Sequence, residues 1–245
     1  MKDLSEQIRE NYLQVLEKIA SSANRSGRNP AIIKLVVVSK AQPLTVVAAA
    51  FDAGVRIFGE NYPEEAVEKI SYFKGKGRLE WHMIGHLQSR KARLVAEAFD
   101  YLHSLDSLHL AEKLNSALAD QDRILPVLLE MNVSGEQSKN GWPAWEESQW
   151  HALLPQLEQL AQFPQLRLNG LMAMPPLFSD PEMARPYFAR LRKLCDFLSS
   201  KMPLLSLHEL SMGTSADFNV AVEEGATIVR VGQAILGPRP ARSKR

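Results

Sequence analysis

The sequence predicts an α/β fold, a single (β/α)8 TIM barrel with an extra N-terminal helix. Three observations lead there. Eight short apolar runs alternate with helical patterns, and such alternation builds parallel βα units. Runs such as KLVVVS and PVLLEMNV are apolar throughout, as suits strands buried on both faces. A length of 245 residues matches the usual size of eight such units. The rival is an open doubly wound sheet, but no Gly-rich turn follows the first run to support it.

The first segment carries Leu4, Ile8, Tyr12, Val15, Leu16 and Ile19 at helical spacing. The polar run SSANRSGRNP then ends it. The expected strands are 33–39, 55–58, 80–84, 99–104, 124–132, 166–172, 206–210 and 227–231. Helical patterns lie between them near 43–53, 63–73, 87–97, 107–120, 143–162, 182–200 and 215–224. The clearest stripe is Met183, Tyr187, Phe188, Leu191, Leu194, Cys195 and Leu198. Residues 1–245 read as one domain, with a helix and loop over 1–29 and a basic tail over 240–245.

Composition removes several classes. One cysteine makes no internal disulfide and no Cys-rich metal site. Twenty-nine basic against 28 acidic residues leave a net charge of +1, with no broad reason to bind nucleic acid or an anionic membrane. No apolar run approaches the roughly 20 residues that span a bilayer. MKDLSEQIRE has no apolar signal core, so a cytoplasmic protein is expected. Cys195 lies on an apolar stripe and reads as a buried thiol without redox function. The tail with Arg239, Arg242, Lys244 and Arg245 reads as solubilising.

A barrel places its active face at the C-terminal strand ends. Strand one ends in Val38-Ser39-Lys40, and a partly desolvated lysine can form a Schiff base with a carbonyl. Taken alone, a solvated lysine is the commoner reading. Strand two ends in Gly59-Glu60-Asn61; Asn61 offers both a donor and an acceptor, or caps the helix that Pro63 opens. Strand three gives His82 and His86, whose spacing suits a metal only on a helix. Arg90, Lys91 and Arg93 read as a solvated face. After strand five, Lys139 in the polar loop EQSKNGWPAW could meet an anion, or the loop is simply surface. Met172 and Met174 end strand six and could pack on a flat ligand, core packing being the default.

The last two strands carry most. Strand seven ends in Ser211-Met212-Gly213-Thr214-Ser215, and strand eight in Arg230-Val231-Gly232-Gln233. Barrels often bind phosphate with these two loops; N-capping by Ser215 is the simpler alternative. A lysine and a phosphate cradle at one mouth suit a phosphorylated aldehyde, of which pyridoxal 5′-phosphate (PLP) is the common example. Arg230 could then donate to the pyridine nitrogen. An arginine keeps its protons, so that nitrogen stays unprotonated and the ring is a weaker electron sink.

These motifs together resemble the pyridoxal phosphate homeostasis protein family, single-domain relatives of the alanine racemase N-terminal barrel. The resemblance runs over about residues 30–239 through LVVVSK, AGVRIFGENYPEE, WHMIGHLQSRK, NVSGEQSKNG, GLMAMPP, LSMGTSADF and ATIVRVGQAILGPR. It implies that Lys40 holds PLP as a Schiff base. It implies that Ser215, with backbone groups of Gly232 and Gln233, takes the phosphate, and that Arg230 faces the ring nitrogen. The expected cofactor site is Lys40, Asn61, Met172, Ser211, Ser215, Arg230, Gly232 and Gln233. The chain departs from the family at His86, often Pro, at Arg90, often Asn, and at Gln233, usually Thr or Ser.

Family members look like carriers or regulators in vitamin B6 and amino-acid or keto-acid balance, without a firm reaction. A monomer is expected, with PLP and apo PLP-dependent enzymes as partners. The alternative is an amino-acid racemase. That needs a second base, which alanine racemases supply as a tyrosine from an added domain; the chain ends too soon for one, and only Tyr62 lies near the mouth. A Schiff-base aldolase is a third reading, with Glu60 the best carboxylate partner for Lys40, although a surface or packing role suits Glu60 better.

Overall fold

The computed structural model describes residues 3–240. Its eight barrel strands are β1 (Lys34–Val38), β2 (Ile57–Glu60), β3 (Glu80–Met83), β4 (Tyr101–Leu105), β5 (Leu125–Asn132), β7 (Leu166–Met172), β8 (Glu209–Ser211) and β9 (Ile228–Val231). A two-residue strand, β6 (Trp142–Pro143), adds to the end of β5. Each barrel strand pairs in parallel with its neighbours. β1 meets β9 in the register Val36↔Arg230, and β4 meets β5 at Leu102↔Val127, which closes the ring.

The helices are α1 (Leu4–Arg25), α2 (Leu44–Asp52), α3 (Pro63–Phe73), α4 (Ala92–Ala98), α5 (Leu108–Ala119), α6 (Leu154–Leu160), α7 (Arg185–Lys201), α8 (Phe218–Glu223) and α9 (Gln233–Leu236). Three begin later than the apolar pattern suggests. Each is preceded by a 3-10 segment, at Ser89–Lys91, Glu147–Leu153 and Pro181–Ala184. Pro155 and Pro186 sit in the first turns of α6 and α7, where a missing N–H costs nothing. The short helix α9 has too few residues to show a period.

Residues alternate between two environments, as the strand period of two requires. Leu35 and Val37 pack outward against the helices, while Val36 joins Tyr101, Leu128, Met172 and Ile228 inside the barrel. Helix α1 buries Ile8, Val15 and Ile19, each contributing ~1.5–3 kcal/mol. It packs on α2, α8 and α9. Its Asn11 donates to the Ile235 carbonyl at 3.1 Å, so α1 braces the helix that opens at Gly232. Cys195 is buried, hydrogen-bonded at 3.4 Å to the Leu207 carbonyl, and burial pushes its thiol up to about 11. No helix among the described residues is long and apolar enough to cross a membrane. Of the expected basic tail, Arg242, Lys244 and Arg245 lie outside the described residues.

Candidate functional site

A cavity of about 310 Å³ opens at the C-terminal ends of the strands. Lys40, Asn61, Ser215, Arg230, Gly232 and Gln233 all line it. Six of the eight expected residues thus meet at one mouth.

Lys40 is carried by an unusual turn. Ala41 beside it has φ +58°, a left-handed conformation that costs a non-glycine residue ~1–2 kcal/mol. The surroundings hold it there. The Ala41 amide donates to Glu65 at 2.8 Å. Buried Lys69 donates to the Ser39 carbonyl at 2.9 Å, to Glu60 at 2.8 Å and to Glu65 at 2.8 Å. The Ser39 hydroxyl also donates to Glu60 at 2.7 Å. Glu60 is therefore fully buried in an ion-paired cluster beneath the turn, not a surface group and not a hydrogen-bonded partner of Lys40. Lys40 itself makes no hydrogen bond or ion pair among the described residues. Burial, then the positive charges of Arg239 and Arg230, lower its pKa against the pull of Glu60. A desolvated amine with cationic neighbours is more often neutral, hence nucleophilic.

The adjoining wall is built by the last two strand ends, β9 being the neighbour of β1. Gly213 has φ +91° and packs so closely that a Cβ would lie 2.6 Å from Ala221 Cβ. The turn after it is tied by Asp217, which accepts from the Thr214 amide at 2.6 Å and hydroxyl at 3.0 Å. Ser215 and Ala216 amides make no backbone hydrogen bond among the described residues. The Gly232 amide donates to Ser215 Oγ at 3.3 Å; a Cβ at Gly232 would lie 2.9 Å from the Val38 carbonyl oxygen. Small residues and free amides in one cavity with a lysine fit a phosphate group. Gln233 is exposed and lines the rim. Asn61 does not cap α3, whose N-cap is Tyr62; its Oδ1 is buried without a hydrogen-bond partner.

Arg230 is buried and held from below. It donates to Ser211 Oγ at 2.6 Å and to the Ala173 carbonyl at 3.0 Å. Ser211 Oγ lies 2.9 Å from His103 Nδ1, and His103 Nε2 lies 2.8 Å from His82 Nδ1. Arginine can only donate. The Ser211 hydroxyl then has its proton for His103 Nδ1, and His103 donates from Nε2 to His82. Burial keeps both histidines below their ordinary pKa, His103 well below, so the chain is neutral beyond the guanidinium. Burial also brings Arg230 down to about 10; it stays charged at neutral pH.

Two expected contacts sit elsewhere. Ser211 is fully buried one layer under the cavity and touches Arg230 instead of lining the wall. Met172 is buried in the barrel interior, and Met174, two residues on, lines the cavity. Arg239, read as part of a solvated tail, also lines it. Gln42 holds that segment by reaching the Gly237 carbonyl at 3.4 Å. At the sequence level, only the Pro-rich GPRP stretch hints at a fixed course there. His82 and His86 do not converge: His82 is inside the barrel, and His86 pairs with Asp106 at 3.0 Å on the mouth. Lys91 pairs with Glu64 at 2.6 Å and Arg93 with Glu97 at 2.9 Å, as a solvated face would.

A free amine, a small-residue cradle, an arginine donor and an orphaned amide oxygen around one cavity suit a phosphorylated aromatic aldehyde. Comparison with known proteins agrees. The alanine racemase N-terminal domain model matches residues 5–240. The pyridoxal phosphate homeostasis protein of Escherichia coli K12 is 42% identical over 95% of this chain and 97% of its own length. PipY of Synechococcus elongatus, solved with PLP bound, is 37% identical over 91% of this chain and all of its own, with TM-score 0.77. Alanine racemase of Streptomyces lavendulae shares the fold at 15% identity and TM-score 0.66, over 95% of this chain and 59% of its own. By family model, by relatives of full length and by fold, the chain belongs to the pyridoxal phosphate homeostasis protein family.

Proposed function

We propose that this chain binds pyridoxal 5′-phosphate and serves intracellular vitamin B6 homeostasis as a carrier or regulator, with little or no catalysis of its own. The observation that carries the reading is Lys40, unpaired among the described residues and with its pKa lowered, in one cavity of about 310 Å³ with the Ser215–Gly232 cradle. Lys40 supplies the amine for covalent attachment. Ser215 and the amides around Gly232 and Gln233 bind the phosphate. Arg230 donates to the ring nitrogen and, remaining protonated, keeps that nitrogen free of a proton. When bound, the cofactor supplies an aldehyde and an electron-accepting ring, and Arg230 weakens the second. Ser211 acts one step back, by orienting Arg230.

A monomer in the cytoplasm, delivering PLP to apo enzymes, fits this reading. Amino-acid racemisation would need a base on each cofactor face, and among the described residues no tyrosine lines the cavity. The test is the visible spectrum of the purified protein before and after borohydride, beside Lys40→Ala. A band in the wild type, bleached by borohydride and missing from the variant, supports the reading. No band even after adding PLP would sink it.

A further inference from the structure

A second chamber of about 220 Å³ shares Asn61, Ile84 and Met174 with the Lys40 cavity. At ~30 Å³ per water it has room for about seven waters, or a ligand of similar heavy-atom count. Glu130, near the end of β5, lines it, and Glu130 Oε2 is buried with no hydrogen-bond partner. Asn61 Oδ1, on the wall common to both cavities, is orphaned in the same way. Both orphans are acceptors on residues that line the chamber, so an occupant that brings donors suits it.

The outer wall carries the opposite charge. Lys139 Nζ is fixed by the Met174 carbonyl at 2.8 Å and by Glu136 at 2.8 Å, which leaves one N–H for a ligand. Its loop is set by Asn132, whose Oδ1 accepts from the Gly135 amide at 3.0 Å and whose Nδ2 donates to the Glu136 carbonyl at 3.0 Å. Lys40 does not line this chamber.

We propose that the chamber is an effector subsite for a small free α-amino acid, bound without covalent chemistry: Glu130 receives its ammonium, and Lys139 its carboxylate. The proposal rests on the Lys40 cavity being the PLP site and deepens that reading, because it places a metabolite sensor against the cofactor wall. Burial pushes the Glu130 carboxyl up to about 7. Asp106 pushes the same way, and His86 and Arg230 oppose it. Binding of an ammonium should therefore strengthen as pH rises through about 7 and Glu130 ionises.

The experiment is calorimetric titration of the PLP-loaded protein with glycine, L-alanine and L-serine, with propionate and propylamine as single-charge controls. The amino acids should bind saturably and the controls about tenfold more weakly. Glu130→Gln and Lys139→Met should each weaken binding about tenfold, as loss of one charged hydrogen bond does, with the visible PLP band retained. Melting temperatures near wild type establish that the variants fold; Lys139→Met stands alone if Glu130→Gln does not. Binding should survive Lys40→Ala. Absence of saturable binding at millimolar concentration, equal affinity in wild type and variants, or loss in Lys40→Ala would overturn the proposal. Failure of the PLP reading shows separately, as a wild type with no visible band.

Discussion

Arg230 Nη1 donates to Ser211 Oγ at 2.6 Å, across neighbouring strands and out of reach of solvent. The guanidinium that would face the cofactor is therefore aimed from inside the barrel. Behind it the hydroxyl, His103 and His82 form one directed chain of donors and acceptors.

That chain has a pH signature. A buried neutral histidine binds no proton in the fold but does when unfolded, below about pH 6.5. Stability should be intact above that value and fall as pH drops through it, by up to ~1.4 kcal/mol per pH unit for His103 and by less for His82, whose pKa Glu80 at 3.5 Å holds up against burial. Calorimetric unfolding from pH 7 to 5 should show this fall, and His103→Gln should shed one histidine's share of the slope. A flat wild-type profile would show that His82 and His103 accept protons in place.

The Lys69 cluster should matter more for stability than any surface pair. Lys69→Met leaves Glu60 buried without its cation, which costs ~3–5 kcal/mol. The same change frees the Ser39 carbonyl beside Lys40. Urea denaturation should register the loss, and adding Glu60→Gln should recover part of it. A loss under ~1 kcal/mol would mean that the buried cluster contributes no more than an exposed pair.

Lys40 chemistry should respond to Arg239. Attachment needs the neutral amine, and the lowered pKa makes that form available at lower pH than for an ordinary lysine. Arg239→Gln removes one of the repelling charges. The Lys40 pKa should rise, and PLP should reload onto cofactor-free protein about two- to threefold more slowly near neutral pH, the scale of one exposed charge pair. The pH profile of absorbance recovery reads this directly; an unchanged profile would remove Arg239 from the account.

Much of this was legible in the residues. KLVVVS reads as a doubly buried strand whatever surrounds it, and Lys40 follows it immediately. The strand-end rule brings Asn61, Ser215, Arg230 and Gly232 to the same mouth. Depth along the barrel axis was not legible. Met172 and Ser211 share the register pair Met172↔Ser211, one layer below the cavity, and Met174 takes the wall. Alternation tells which face a side chain takes, but the layer depends on strand stagger around the closed ring. One signal was available: Glu130 interrupts the apolar run PVLLEMNV, and a carboxylate in such a strand invites a search for its partner.

The sequence by itself determined the parallel barrel and the lysine at its mouth, because hydrophobic period and strand-end position are local properties of the chain. Only the tertiary structure decided how that lysine is tuned. Lys69 reaches Glu60 from the following helix, Arg239 returns to the rim after the last strand, and His103 meets Ser211 across 108 residues. Charge and hydrogen bonding act over a few ångströms of space, so the pairs distant in sequence, Arg239 with Lys40 and His103 with Ser211, exist only once the ring has closed, and the Glu60–Lys69 pair only once β2 and the next helix pack together.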